Sequence, residues 1–186
     1  MRNLTTKPRC VLLDANVVIE SHELEVWDQL KSRCRLTLPA TVSRREVLYC
    51  FLGGCKVEIH LQEQIRSREI DELEATAEEV SILFGIFESW FLETLDPGET
   101  EALALLQTGR LSEVIFCTSD APAIKALAMM GMSHMGVSFE TRLARSGLTK
   151  SLKKQFLETF FKGCIRQGSL NLVTRNGLRD SIQSKR

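Results

Sequence analysis

The chain has 186 residues, 44% of them hydrophobic and 26% charged, which allows one well-buried core and excludes a disordered or fibrous chain. No run approaches the ~20 apolar residues of a membrane helix, and the opening "MRNLTTKPRC" lacks the apolar centre of a secretory leader, so the expected location is cytoplasmic. The net charge of zero hides a division: residues 1–140 hold 13 Lys/Arg against 22 Asp/Glu (−9), and residues 141–186 hold 11 against 2 (+9).

The stretch "VLLDANVVIE" (11–20) closes an apolar run, Cys10 to Leu13, with an abrupt Asp14. Residues 10–14 read as a strand and 16–33 as a helix with Val17, Val18, Ile19, Leu24, Trp27 and Leu30 on its apolar side. A second strand is expected at 35–39, then a helix over 40–52 closed by Gly53 and Gly54. Residues 56–61 alternate polar and apolar, as an edge strand does. A long helical period covers 68–93, and Pro97 and Gly98 punctuate a turn over 95–99. A helix at 99–109 leads to a third clear strand at 113–118, and a helix at 120–131 closes at Gly131. One more strand is expected at 135–139. The remainder, through 151–168, reads as helical, with the last residues loosely tethered. Strands alternating with helices predict an α/β fold, a three-layer α/β/α sandwich around a mostly parallel sheet.

In such sheets ligands bind beyond the carboxyl ends of the strands. The strands at 10–14 and 113–118 both end in acids, Asp14 and Asp120. A carboxylate placed directly after a buried strand is costly unless something uses it. Glu46 lies in "LPATVSRREVLYC", on a segment that shows Val42 and Val47 to the core. Glu101 and its rival Glu99 lie in "PGETEALALL"; two positions apart on a helix they project about 200° from each other, so one of them faces a site. Clustered carboxylates repel and take up protons unless a cation holds them ionised. A carboxylate-rich set suits Mg²⁺ or Mn²⁺ better than zinc. The histidines at 22, 60 and 134 match no metal or triad spacing. The six cysteines (10, 34, 50, 55, 117 and 164) contain no CxxC pair and read as reduced thiols. Plainer duties fit the same acids: Asp14 and Asp120 suit helix N-caps, and Glu101 suits a first helical turn. Arg44, Arg45 and Lys125 lie near the candidate ligands, either as phosphate contacts or as surface charges.

Over residues 10 to about 147 the chain resembles the PIN-domain nucleases. "VLLDANVVIE" looks like the family's opening strand and helix, with Asp14 its first metal-binding acid and Asn16 a polar companion. "LPATVSRREV" is similar to the second block, whose glutamate falls on Glu46. "PGETEALAL" looks like the third, where the acid before an Ala-hydrophobic-Ala run is the ligand, pointing to Glu101 and leaving Glu99 auxiliary. "VIFCTSDAPA" resembles the fourth, with Asp120 the acid and Thr118 and Ser119 in neighbouring polar positions. Where many members carry a further acid, this chain has Ala121, Pro122 and Ala123.

The resemblance implies a nuclease domain over 1–147 that hydrolyses phosphodiester bonds, RNA foremost, through one or two Mg²⁺ or Mn²⁺ ions on Asp14, Glu46, Glu101 and Asp120. It also implies a toxin of a toxin–antitoxin pair, with a small antitoxin partner and a homodimer. Residues 148–186 form a basic helical extension, packed on the domain or tethered to it. Its charge suits either phosphate contacts or a solvated helix resting on an acidic surface. Two alternatives belong to other classes. One is a PIN-like module that binds RNA or protein without catalysis. The other is a haloacid-dehalogenase-type phosphatase, which normally needs a second acid where this chain has Asn16.

Overall fold

A computed structural model of the chain describes residues 10–109, 111 and 113–179. In chain order the main elements are β1 (Val11–Leu13), α1 (Ala15–Glu23), α2 (Trp27–Arg33), β2 (Leu36–Pro39), a hairpin of β3 (Tyr49–Leu52) and β4 (Cys55–Glu58), α3 (Leu61–Arg66), β5 (Asp71–Leu73), α4 (Ala77–Phe84), α5 (Ser89–Leu92), α6 (Pro97–Gln107), β6 (Ile115–Cys117), α7 (Ala121–Met129), β7 (Gly136–Val137), α8 (Phe139–Arg145) and α9 (Glu158–Thr174). Five strands form one parallel sheet in the order β5-β2-β1-β6-β7, with β1 in the middle. The fold is α/β, with helices on both sides of that sheet.

Alternation along the central strands builds two cores, one on each face. Val11, Leu13, Leu36, Leu38, Ile115 and Cys117 share one apolar cluster with Val17, Val18, Trp27 and Leu30 of α1 and α2 and with Phe139 and Leu143 of α8. Leu12 and Phe116 belong to the other, with Leu83 of α4, Leu103 and Leu106 of α6, and Ala123 and Leu127 of α7. Strands covered twice must be apolar at every position, which is why β1 and β6 stand out as unbroken runs.

Three expected elements differ. The helix over 16–33 is two helices, broken at Leu24–Val26, where Glu25 takes a left-handed φ of 55°. The helix over 40–52 is a single wide turn at Val42–Glu46 followed by β3; Gly53 and Gly54, with φ of 57° and 83°, make the hairpin turn instead of stopping a helix. Two consecutive positive φ values suit a tight hairpin connection, and "YCFL" carries aromatic residues that favour a strand. The helical period over 68–93 contains β5 and then the shorter α4 and α5. The sequence of β5 is "DEL", and its backbone pairs with Thr37, Leu38 and Pro39 of β2.

The segment after α8 packs on the sheet's helical layer. Phe161 and Cys164 of α9 form a small apolar cluster with Ile124 of α7. Gly168 allows close approach, since a Cβ there would lie 2.8 Å from the Ala128 Cβ. Glu158 accepts hydrogen bonds from Ser138 Oγ (2.6 Å) and Thr141 Oγ1 (2.8 Å). Lys153 pairs with Glu20 (2.7 Å) and Glu23 (3.3 Å) of α1, so part of the basic charge is spent directly on the acidic body. The expected loose tether at the very end falls on residues 180–186, outside the described residues. Among the described residues, no helix is long and apolar enough to cross a membrane.

Candidate functional site

The parallel strands fill the sheet outward from β1, first β2 and β5 on one side, then β6 and β7 on the other. The direction therefore reverses between β1 and β6, and the crevice beyond the carboxyl ends of these two strands is where open α/β sheets bind ligands. Asp14 leaves β1 at that point, and Thr118, Ser119 and Asp120 leave β6 there.

Asp14 is buried, 2% exposed, and caps α1 through Oδ1, which accepts from Val17 N at 2.8 Å. Its Oδ2 accepts from Ser119 N at 3.0 Å and from the Thr118 hydroxyl. Burial pushes its carboxyl up to about 6 against these three donations, and the charge of Asp120 adds to the rise. Thr118 Oγ1 also accepts from Asp120 N at 3.1 Å, so a single hydroxyl ties the two strand ends together. Asp120 caps α7 through Oδ1, which accepts from Ala123 N at 3.0 Å. Its carboxyl is also raised, chiefly by burial, while the Ala123 amide, a hydrogen bond to Glu99 and the nearby Lys125 charge oppose the rise.

Glu99 completes this group. It lies in the first turn of α6, 5% exposed, and accepts from Asp96 N at 3.0 Å. Burial and then the Asp120 charge drive its carboxyl up to about 9, with Asp14 adding further repulsion. A carboxyl held protonated so far above its ordinary range can donate to Asp120, which accounts for their hydrogen bond. Three acids from three separate elements therefore feel one another at the switch point.

Glu101, expected to be the ligand with Glu99 auxiliary, does not join this group. Glu101 turns to the other side of α6, where Oε2 accepts from Thr41 N (2.7 Å) and Oε1 from Ala75 N (3.0 Å). It staples the loops that follow β2 and β5, a structural task. Glu46 stands between the two settings. Its Oε1 accepts from Gly98 N at 2.8 Å, and its carboxyl is raised by burial and by the charges of Asp96 and Glu101. Gly98 is required for that approach, because a Cβ would lie 2.7 Å from Val42 Cγ2 and run into the Glu46 carboxylate itself.

Asn16 is exposed on the first turn of α1. Arg44 is engaged with two acids of the β5 region, Glu72 (2.5 Å) and Glu74 (3.0 Å), which takes it away from an incoming phosphate. Arg45 is exposed, and Lys125 sends its charge to Asp120. One acid that sequence reasoning misses is Asp96, whose charge reaches Glu46, Glu99 and Asp120. In the sequence it is only part of a turn; its position immediately before Pro97, where an N-cap belongs, is the available signal.

The donors at this point are all oxygens, the set that hard divalent cations take. Ser119 Oγ is buried and has no hydrogen-bond partner among the described residues, an orphaned oxygen in the midst of the acids. Among the described residues, however, no group of three or more His, Cys, Asp or Glu side chains is arranged to hold a metal ion; the carboxyls are turned to backbone amides and to each other. No family model and no curated protein matches the chain.

Proposed function

We propose that the chain is a Mg²⁺- or Mn²⁺-dependent nuclease that hydrolyses phosphodiester bonds of RNA at the carboxyl ends of β1 and β6. The observation that carries the reading is the meeting of Asp14, Glu99 and Asp120 at the switch point, with two of these carboxyls held at about 6 and about 9. Acids that repel this strongly are poised to exchange protons for a cation. The orphaned Ser119 hydroxyl supports the same reading, since it offers one more oxygen to an ion or its water.

To hold the cation, Asp14, Asp120 and Glu99 would have to turn from their amide partners and from each other toward it, and Glu46 with Asp96 would extend the negative field toward α6. A bound divalent ion supplies charge neutralisation at the phosphate and a lowered pKa for water. The protein's own residues do the rest. Thr118 fixes the spacing of Asp14 and Asp120 through two hydrogen bonds. Glu99 would have to give up its proton to hold the ion, so its burial beside Asp120 ties cation binding to proton release. Lys125 supplies a positive charge that acts on Asp120, suited to a phosphate flanking the reacting one.

The test is Mn²⁺-dependent cleavage of end-labelled RNA by the wild type, Asp14→Asn and Asp120→Asn. Loss of cleavage in both variants, with the fold retained by circular dichroism, supports the reading; equal activity in all three discards it. The arrangement of the carboxyls toward backbone amides favours a second reading, a module that binds RNA without cleaving it. RNA binding by the wild type with no cleavage under Mg²⁺ or Mn²⁺ would select that one.

A further inference from the structure

A cavity of about 310 Å³ opens between α5, α7 and α9, a short step from the acids. Two of its lining residues are near the acids in the chain: Pro122 follows Asp120 by two residues, and Thr94 precedes Asp96 by two. One wall is the indole of Trp90, 47% exposed although large and apolar. The opposite side is lined by side-chain amides of the C-terminal helix and the turn after it, Gln167, Asn171 and Asn176. Lys125 also lines the cavity, and its charge reaches Asp120.

Asn171 is the informative member. It is 7% exposed, yet among the described residues its Nδ2 makes only a long contact to Met129 Sδ at 3.9 Å, and its Oδ1 takes a single 3.3 Å hydrogen bond from Gln167. Each polar atom of this buried amide thus has a single long contact, which leaves donor and acceptor capacity to spare in a residue of the cavity wall. Small apolar ligands have no use for such a wall, whereas a nucleobase does. Its flat face stacks on an indole, and its edge presents adjacent donors and acceptors that amide side chains match in pairs. The volume is of the right order for one base with part of its ribose, and the lysine stands where a flanking phosphate would run.

We infer that this cavity is a base-recognition subsite, which takes one unstacked nucleotide of single-stranded RNA next to the bond presented to the acids. The substrate class rests on the nuclease reading above; the cavity itself does not. The subsite assigns a purpose to the segment after residue 147, which contributes three of its polar groups. It also makes that segment part of substrate selection, where its charge alone would suggest only general attraction for phosphate.

The experiment uses the full chain in EDTA, so that no cleavage occurs, and titrates the four nucleoside 5′-monophosphates and ribose 5-phosphate while tryptophan emission is recorded. Trp27 is 5% exposed and Trp90 is 47% exposed, so a base entering the cavity quenches Trp90. The expected result is base-dependent quenching that ribose 5-phosphate does not produce, that disappears in Trp90→Phe, and that shifts about tenfold to weaker binding in Gln167→Ala. Gln167 is exposed on α9, so this change leaves the fold intact. Absence of quenching by every nucleotide, or equal binding of ribose 5-phosphate, overturns the inference. Metal-dependent cleavage with no nucleotide binding in the cavity also overturns it while leaving the nuclease reading standing. Base-dependent binding without cleavage in any metal supports the subsite and removes the nuclease.

Discussion

Glu99→Gln should make the cation-free protein more stable at alkaline pH. The sign follows from the raised carboxyl. Below its ordinary 4.5 the group is protonated whether folded or unfolded, and no stability is at stake. As pH rises toward about 9 the unfolded chain releases the proton while the folded one keeps it, so folding becomes progressively less favourable. At ~1.36 kcal/mol per pH unit, the full span up to pH 8 sets a ceiling of ~5 kcal/mol. Glu99 shares its proton with Asp120, which lowers the recoverable part to about 1–3 kcal/mol. Glutamine keeps an acceptor for the Asp96 amide and gains a permanent donor toward Asp120, so the hydrogen bonds survive without the proton cost. For a chain of this length that corresponds to a rise of roughly 3–9 °C in melting temperature. Thermal unfolding between pH 7 and 9 in EDTA, above the range where Asp14 titrates, provides the assay: the wild type should lose stability with rising pH, and the variant should lose much less. A variant less stable than wild type at pH 8, or one with the same slope, would refute the claim that Glu99 is buried against like charge.

Glu101→Ala should cost about 2–4 kcal/mol in urea unfolding, because it strands the amides of Thr41 and Ala75, and any activity should fall only with the folded fraction. Mn²⁺ affinity measured by calorimetry should tighten as pH rises from 6 to 9, by up to about tenfold per pH unit, since Glu99 must shed its proton to accept the ion while Asp14 has lost its own near the lower end of that range. A pH-independent affinity would contradict that exchange. Asp14→Asn and Asp120→Asn should separate in thermal unfolding. The first sets an amide against donors from Thr118 and Ser119 at a cost of about 1–3 kcal/mol, whereas the second keeps the cap to Ala123 and relieves repulsion with Glu99, leaving the melting temperature level or higher.

Much of this can be read from the residues because burial on two faces leaves a plain mark. The runs Val11–Leu13 and Ile115–Cys117 are apolar throughout, and an acid soon after each signals a strand end with an unusual neighbour. By contrast, β5 is hidden because an edge strand of sequence "DEL" is held by backbone pairing to β2 and by Arg35 on Asp71 at 2.6 Å, neither of which has a hydropathy period. The hairpin after Glu46 reads as a helix because "VLYCFL" fits either period, and Gly53–Gly54 ends a helix as well as it turns a hairpin. Which of Glu99 and Glu101 turns toward Asp120 is beyond reach for a different reason. It is set by two loop amides, at Thr41 and Ala75, that lie 60 and 26 residues away and need an acceptor on one side of α6. Once Glu101 is spent there, helix geometry sends Glu99 toward Asp120.

The capping and functional readings of Asp14 and Asp120 are therefore not rivals. A helix N-cap holds a carboxylate beyond the end of a strand with one oxygen committed to the helix, and this is also how a sheet presents the remaining oxygen to a ligand. The two caps differ in what remains. Asp14 spends Oδ2 on Thr118 and Ser119, so it is rigid and its position is dictated from β6. Asp120 commits Oδ1 to the Ala123 amide and meets Glu99 as well. The movable charge of the site thus lies in the Glu99–Asp120 pair, and Asp14 is the fixed point against which the pair is set. On the proposed reading, a cation entering here would first have to part Glu99 from Asp120, so the proton between them, rather than the count of carboxylates, would govern its binding.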